Sequence, residues 1–396
     1  MNWAAVLDGP GLGKPPYQTI SNAVRVLEHD PAWSVSRLWF DEFAGRIMFQ
    51  NSPLREWRDD DDVALTVYMQ DMTGMPKIQK AFVCDAVDLV CRRRGRHAVR
   101  EYLSSLAWDG IARIDHALED LWGVDCAEGQ PSDYVRAVSR NLLIGLVARV
   151  MRPGCKLDTM VVFEGPQGTL KSSALDVLGG EWYAAIDESA ATKDFLQVLR
   201  GKWVIELCEM NAVSKAESAH VKGILSRRID TYRASFGRRS ADVPRQCVFA
   251  GTTNRTDWST DDTGDRRFWP IRCGVINLEA IAASRDQLFA EALVRLADGA
   301  TWWQMPALTR EVQAERLPDH AWTSLILDGL AGYAETTMAE VLQRILKFSP
   351  DKITINAERQ VGSILRRSGW VSKPARRNGL RRVWFAPDSS DDTFKA

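Results

Sequence analysis

The chain has 396 residues, 45% of them hydrophobic and 26% charged, with a formal net charge of −1. That length allows roughly two or three domains, each with a sizeable core, and near-neutrality excludes a globally basic nucleic-acid coat while leaving local basic patches open. Seven cysteines, at 84, 91, 126, 155, 208, 247 and 273, form no CxxC pair, and the longest apolar run, Asn141 to Met151, is broken by Arg149; these argue for a reducing compartment, against disulfides or a zinc site, and against a membrane span.

The opening residues, MNWAAVLDGPGLGKPPYQ, lack a charged start followed by an apolar block, so no secretion signal is expected. Residues 1–18 are rich in Gly and Pro and are expected to form a loose arm. Residues 19–130 are expected to be a helical domain. Ser21 can cap a helix over AVRVLEH, and Val63 to Met69 and Lys80 to Cys91 place apolar residues at helical spacing. Asp59 to Asp62 suit either a helix start, where negative charge meets the positive dipole end, or a solvated turn.

The character changes over 131–320. A helical block from Tyr134 to Met151 stops at Pro153-Gly154. Then Thr159 to Phe163 reads as a strand, Ser172 to Leu178 as a helix, and Trp203 to Leu207 and Gln246 to Ala250 as further strands. Strands separated by helical stretches imply an α/β core with a largely parallel sheet. Residues 321–396 read as helix, helix and a hairpin around Asn378-Gly379, the order of a small winged-helix-like module.

Between the first strand and its helix lies GPQGTLKSS, close to the phosphate-loop pattern GxxxxGK[ST]. Gly165 and Gly168 can supply a tight turn and close backbone approach, with Gln167, Thr169, Leu170 and Ser173 completing the loop. Lys171 would bond the outer phosphates of ATP, and Ser172 would hold Mg²⁺. Leu170 departs from the expected glycine and is tolerable only at negative φ; otherwise it costs about 1–2 kcal/mol. The alternative is a glycine turn joining a strand to a helix. WVIELCE ends in two carboxylates. Glu206 and Glu209 face opposite sides of a regular strand, so only one aims directly into a cleft unless the strand bends or ends between them; Glu209 is the favoured one, as a catalytic and Mg²⁺-linked acid, with Glu206 supporting. Asn254, after the strand VFAGTT, could orient a water or sense a phosphate, although Thr-Asn is also ordinary turn chemistry. Arg266 and Arg267 could neutralise transition-state charge, commonly from a neighbouring subunit, or could be a solvated pair beside Phe268-Trp269.

Taken in order, GPQGTLKSS, WVIELCEM, PRQCVFAGTTNR and DDTGDRRFWPIR resemble the virulence-associated protein E family, phage, plasmid and island proteins similar to superfamily 3 helicases within the AAA+ ATPases. The resemblance starts at VREYL and AWDGIAR, passes through VMRPGCK, and covers roughly Val99 to Cys273. It implies an α/β P-loop NTPase with a mainly parallel sheet, flanked by the helical N-terminal and winged-helix-like C-terminal domains. It further implies a homo-oligomer, usually a hexameric ring, with ATP at subunit interfaces, moving on single-stranded DNA during mobile-element replication in a bacterial cytoplasm. Lys171 and Ser172 match the loop positions, Glu209 the strand-end acid, Asn254 the sensor, and Arg266 and Arg267 the arginine finger. Many relatives carry a primase domain, which this chain does not display, so a primase would be a separate partner.

DNA contacts are expected in two places. Arg238 and Arg239 sit at a glycine turn with Phe236 before the sensor strand, where superfamily 3 helicases place a channel hairpin. The same turn could instead be exposed or salt-bridged to Asp230 or Asp242, and Arg233 and Arg245 could sense nucleotide. In the tail, Arg366 and Arg367 on a recognition-type helix and Arg376, Arg377, Arg381 and Arg382 on a wing suit a duplex backbone; protein contact is the alternative. A second functional reading is an ATP-switched DNA-binding regulatory or interference factor without unwinding activity. A small-molecule kinase is a weaker third, since no acceptor pocket or lid is visible.

Overall fold

The computed structural model describes residues 6–11, 14–33, 37–51, 53–127, 130–186, 195–208, 215–233, 240–256, 258, 266–314, 316, 321–376 and 380–387. The N-terminal elements are α1 (Ile20–His29), β1 (Leu38–Asp41), β2 (Arg46–Phe49), β3 (Arg55–Glu56), α2 (Asp59–Met72), α3 (Lys80–Arg93), β4 (Gly95–Arg96) and α4 (Ala98–Ser105). The four strands pair in the order β3-β2-β1-β4. The expected helical domain is therefore mixed. Its strands are two to four residues long, too short to show a period-two pattern. Asp59 to Asp62 do open α2, and Asp61 accepts from the Arg58 amide at 2.7 Å. The segment expected to be a loose arm is tied down where it is described. Asn22, fully buried in α1, accepts from the Asp8 amide at 2.8 Å and donates to the carbonyls of Asp8 and Tyr17 at 2.7 and 2.9 Å.

The middle of the chain supplies α5 (Ala117–Trp122), α6 (Ser132–Met151), β5 (Met160–Glu164), α7 (Lys171–Gly179), β6 (Tyr183–Ile186), α8 (Phe195–Val198), β7 (Val204–Leu207), α9 (Lys215–Ser226), β8 (Ile229–Arg233), β9 (Ser240–Pro244), β10 (Val248–Thr253), β11 (Phe268–Arg272), α10 (Leu278–Ala297) and α11 (Thr309–Ala314). Five of these strands form one parallel sheet in the order β11-β5-β10-β7-β6. The fold is α/β, as the alternation of strand and helix implies.

Alternate residues of each strand feed two cores. Val161 and Phe163 of β5 join Leu143 and Val147 of α6, Ala174 and Leu178 of α7, and Leu288 of α10 on one face. Met160 and Val162 join Phe195, Ile224 and Trp258 on the other. Because both faces are covered, β5, β7 and β10 are buried at every residue, and their sequences are continuous apolar runs rather than alternating ones. Helix α6 is buried nearly all round, which is why its sequence lacks a polar face. β11 is an edge, the position where Pro270 is tolerated. Its carbonyls are covered by side chains: Tyr134 and Gln130 donate to Pro270, and Gln313 to Phe268. That covering keeps the edge from pairing with another strand.

The C-terminal elements are α12 (Trp322–Gly329), β12 (Glu335–Thr337), α13 (Met338–Glu340), α14 (Ile355–Arg367), β13 (Val371–Arg376) and β14 (Leu380–Phe385). They form an antiparallel sheet in the order β12-β14-β13 over a separate core that includes Leu342, Val361, Leu365 and Trp384. No described helix is long and apolar enough to cross a membrane.

Candidate functional site

Sheet order fixes where a ligand can enter. From β5 the chain crosses towards β6 on one side, whereas from the adjacent β10 it crosses back over β5 to β11 on the other. Connections that diverge from neighbouring parallel strands leave a crevice beyond their carboxyl ends, where α/β folds bind ligands. Here that crevice is a cleft of about 630 Å³ lined by Gln167 to Ser173, Glu206, Cys208 and Thr252 to Asn254.

The loop between β5 and α7 curls by means of Gly165 (φ 156°) and Gly168 (φ 87°). Leu170 follows at φ 65° and ψ 23°, in the left-handed region. The condition set by the sequence, a negative φ, is thus not met, and the strain of about 1–2 kcal/mol is carried by the folded loop. Leu170 occupies the N-cap of α7 with no side-chain capping bond. A Ser or Asp there would occupy the first-turn amides; Leu leaves them for an outside acceptor, and a helix start with open amides suits an anion.

Lys171 is only 7% exposed. Its Nζ donates to the carbonyls of Gly165 (2.7 Å) and Pro166 (2.9 Å), to Thr169 Oγ1 (3.1 Å) and to Asn254 Oδ1 (3.2 Å). Burial pulls its pKa below the ordinary lysine value, partly opposed by Cys273 and Glu206. Asn254, at the end of β10, is thereby brought to the loop.

The acid side of the cleft is Glu206, fully buried on β7. Ser172 Oγ donates to its Oε1 at 2.7 Å, Thr252 Oγ1 donates to the same oxygen, and the Tyr183 hydroxyl donates to Oε2. Burial and this carboxylate push the Tyr183 phenol far above its usual pKa, so it is a permanent donor. Glu209, favoured from the sequence, lies outside the described residues. Among those described, Glu206 is the carboxylate that meets the loop. Tyr183 and Thr252 were not singled out from the sequence; their only signal is the register of three strands.

Arg266 and Arg267 are not brought to the loop. β11 runs parallel to β5 with Phe268 beside Met160, so both arginines precede the opposite end of the sheet. Five residues of β5 at about 3.3 Å each separate them from the loop by about 16 Å. They line a different cleft, with Asp158 3.8 Å from Arg267. Arg245, for which a nucleotide-sensing role was open, is buried and committed: it donates to Asp230 through Nε and a terminal nitrogen, and to the Ile224 carbonyl. β8 and β9 pair as an antiparallel hairpin, and Phe236, Arg238 and Arg239, between them in sequence, lie outside the described residues. In the tail, Arg366 is exposed and sits 5.8 Å over the Trp384 ring. The side chains of Arg367, Arg376, Arg381 and Arg382, and the whole of Arg377, lie outside the described residues.

One buried pair behind the loop had no sequence signal. Glu164, the last residue of β5, takes three guanidinium contacts from Arg316 at 3.0–3.3 Å and one from Trp258 Nε1 at 2.8 Å. It anchors the strand that carries Gly165.

Three solved forms of the apo C-terminal region of NrS-1 are similar to this chain, and one of them, an A form, shares its fold. One A form is 12% identical with a TM-score of 0.50 over 88% of this chain and 96% of the other. A second A form is 12% identical with a TM-score of 0.47, over 88% and 95%. No curated protein sequence matches. The family model of the virulence-associated protein E-like domain matches residues 103–320, more than half of the chain and beyond the stretch ending at Cys273 that carries the resemblance. The chain therefore belongs to the virulence-associated protein E-like family.

Proposed function

We propose that this protein is an ATP-hydrolysing helicase or translocase of phage or mobile-element DNA replication, working on single-stranded DNA. The observation that carries the reading is the meeting of Lys171, Ser172, Glu206, Thr252 and Asn254 in one cleft, at the strand ends where the chain connections diverge. In this reading Gly165 to Ser173 is a phosphate loop. Its amides and the Lys171 ammonium hold the β- and γ-phosphates of ATP, with Lys171 exchanging loop carbonyls for phosphate oxygens. Ser172 Oγ and the Glu206 carboxylate, 2.7 Å apart, are the hard oxygen donors that suit Mg²⁺, which would supply charge neutralisation at the phosphates. Tyr183 and Thr252 fix the rotamer of Glu206, and Asn254 positions the attacking water or reads the terminal phosphate. Glu209 remains a candidate second acid.

The homo-oligomeric ring is proposed from the family resemblance. The place of Arg266 and Arg267 at the far end of the sheet leaves them to contacts beyond their own loop. The C-terminal module, with α14 ahead of the β13–β14 hairpin, is proposed as a winged-helix-like unit for duplex DNA. A separate primase and a cytoplasmic setting complete the proposal.

ATP turnover with and without single-stranded DNA tests it. Turnover stimulated by DNA and lost in Lys171→Ala is expected; unchanged turnover in that variant would remove the reading. The ATP-switched DNA-binding factor remains the second reading, favoured by Leu170 and its strained backbone. It predicts ATP-dependent DNA binding without strand separation.

A further inference from the structure

A second cleft, of about 710 Å³, opens at the end of the sheet opposite the loop and shares no lining residue with the first. Its described rim carries Lys156, Arg266, Arg267 and Arg310 against one acid, Asp158. Four cations to one carboxylate is a local excess in a chain whose net charge is −1, and such concentrated charge attracts a polyanion. The cleft also holds an aromatic face. Trp303 is 54% exposed, although a tryptophan ordinarily buries most of its ring. It is also held in place. Its ring meets buried Trp302 edge-on at 4.8 Å, and Trp302 is pinned by donating from Nε1 to the Lys156 carbonyl at 2.8 Å. A fixed, solvent-facing indole beside several cations is what binding both a base and its phosphates calls for.

We infer that this cleft recognises nucleotides, with Trp303 stacking on a base and Lys156, Arg266, Arg267 and Arg310 contacting phosphate. Two sources carry that chemistry: a single nucleic-acid strand, and a free nucleoside triphosphate. The inference stands apart from the reading of the loop. It also gives Arg266 and Arg267 a role that their distance from their own loop denies them there.

The test uses the full chain and two probes, fluorescein-labelled oligo-dT and a fluorescent ATP analogue, followed by anisotropy at low salt. The ATP analogue is measured on a Lys171→Ala background, so that the loop is silent. Trp303→Ala and Arg310→Glu are the variants; both residues are exposed, so the fold is retained, and Trp303→Phe restores a stacking face. If a strand is the source, both variants weaken oligo-dT about tenfold while Trp303→Phe recovers most of the loss. If a triphosphate is the source, the same pattern appears with the ATP analogue instead. Either pattern supports the inference, including in a chain whose ATP turnover has failed. Affinities for both probes within twofold of the parent in Trp303→Ala overturn it. So does a loss confined to Arg310→Glu that heparin, charged but without bases, reproduces: the cleft would then be a general anion surface.

Discussion

Replacing Leu170 by Ala and by Gly separates backbone strain from side-chain burial. Leu170 is about half exposed, so its buried part contributes about half of the ~1.5–3 kcal/mol of a fully buried leucine. Leu170→Ala loses that, about 1 kcal/mol, and keeps the strained backbone. Leu170→Gly also loses the side chain but relieves about 1–2 kcal/mol of left-handed strain. Against this, glycine gains about 0.4–1 kcal/mol of conformational freedom in the unfolded chain. The difference leaves Gly more stable than Ala by about 0.5–1 kcal/mol, and close to the parent. At exposed Asp176 in the interior of α7 the order reverses, with Ala ahead of Gly by about 0.8–1 kcal/mol. Urea unfolding midpoints of the four variants, followed by circular dichroism, give both differences from one assay. Ala ahead of Gly at position 170 would falsify the left-handed assignment. The strain already belongs to the folded loop, so Leu170→Gly should leave ATP affinity within about twofold of the parent. A gain of tenfold or more would mean that the loop must change conformation to bind.

Glu206→Gln cannot satisfy hydroxyl donors on both of its former oxygens, so either Tyr183 or the pair Ser172 and Thr252 faces an amide N–H. The expected result is ATP turnover down at least about 100-fold and a stability loss of about 1–3 kcal/mol, read by phosphate release and urea unfolding. Arg316→Met leaves the Glu164 carboxylate buried without its cation and should cost about 3–5 kcal/mol; adding Glu164→Gln should recover much of this, whereas additive losses would show that the two do not act as a pair. His97 caps α4 through Nδ1, which accepts from the Arg100 amide, and its Nε2 donates to Gln246 Oε1 at 2.7 Å. Burial lowers its pKa from 6.5. The unfolded chain therefore takes up the proton first, so stability is full above about pH 6.5 and falls with acidification until the folded group also titrates. His97→Asn should flatten that slope in urea titrations, and an unchanged slope would assign the acid lability elsewhere.

What could be read from the sequence divides along physical lines. β5, β7 and β10 are covered on both faces, so each is a continuous apolar run and visible as such. β6 is half-exposed and β11 carries Pro270, so neither shows a strand pattern, and without β11 the direction of the chain after Arg267 is undetermined. The loop GPQGTLKSS was legible as a turn between strand and helix because its residues are contiguous, but the left-handed φ of Leu170 was not. The acid side was legible only in part: period two would let one of Glu206 and Glu209 face the cleft, but β7 ends at Leu207, between them, so parity does not decide. The place of Glu206 comes from long-range register. Glu206 pairs with Ala185 on one side and Ala250 on the other. Tyr183 lies two residues before Ala185, and Thr252 two residues after Ala250, so both share Glu206's face, and their hydroxyls converge on its carboxylate. The same parallel pairing, Phe268 with Met160, separates Arg266 and Arg267 from the loop although the motif order lists them together. Motif order thus names the groups that the proposed nucleotide site would use. Strand direction decides which of them one chain can assemble, and here it divides them between two ends of one sheet.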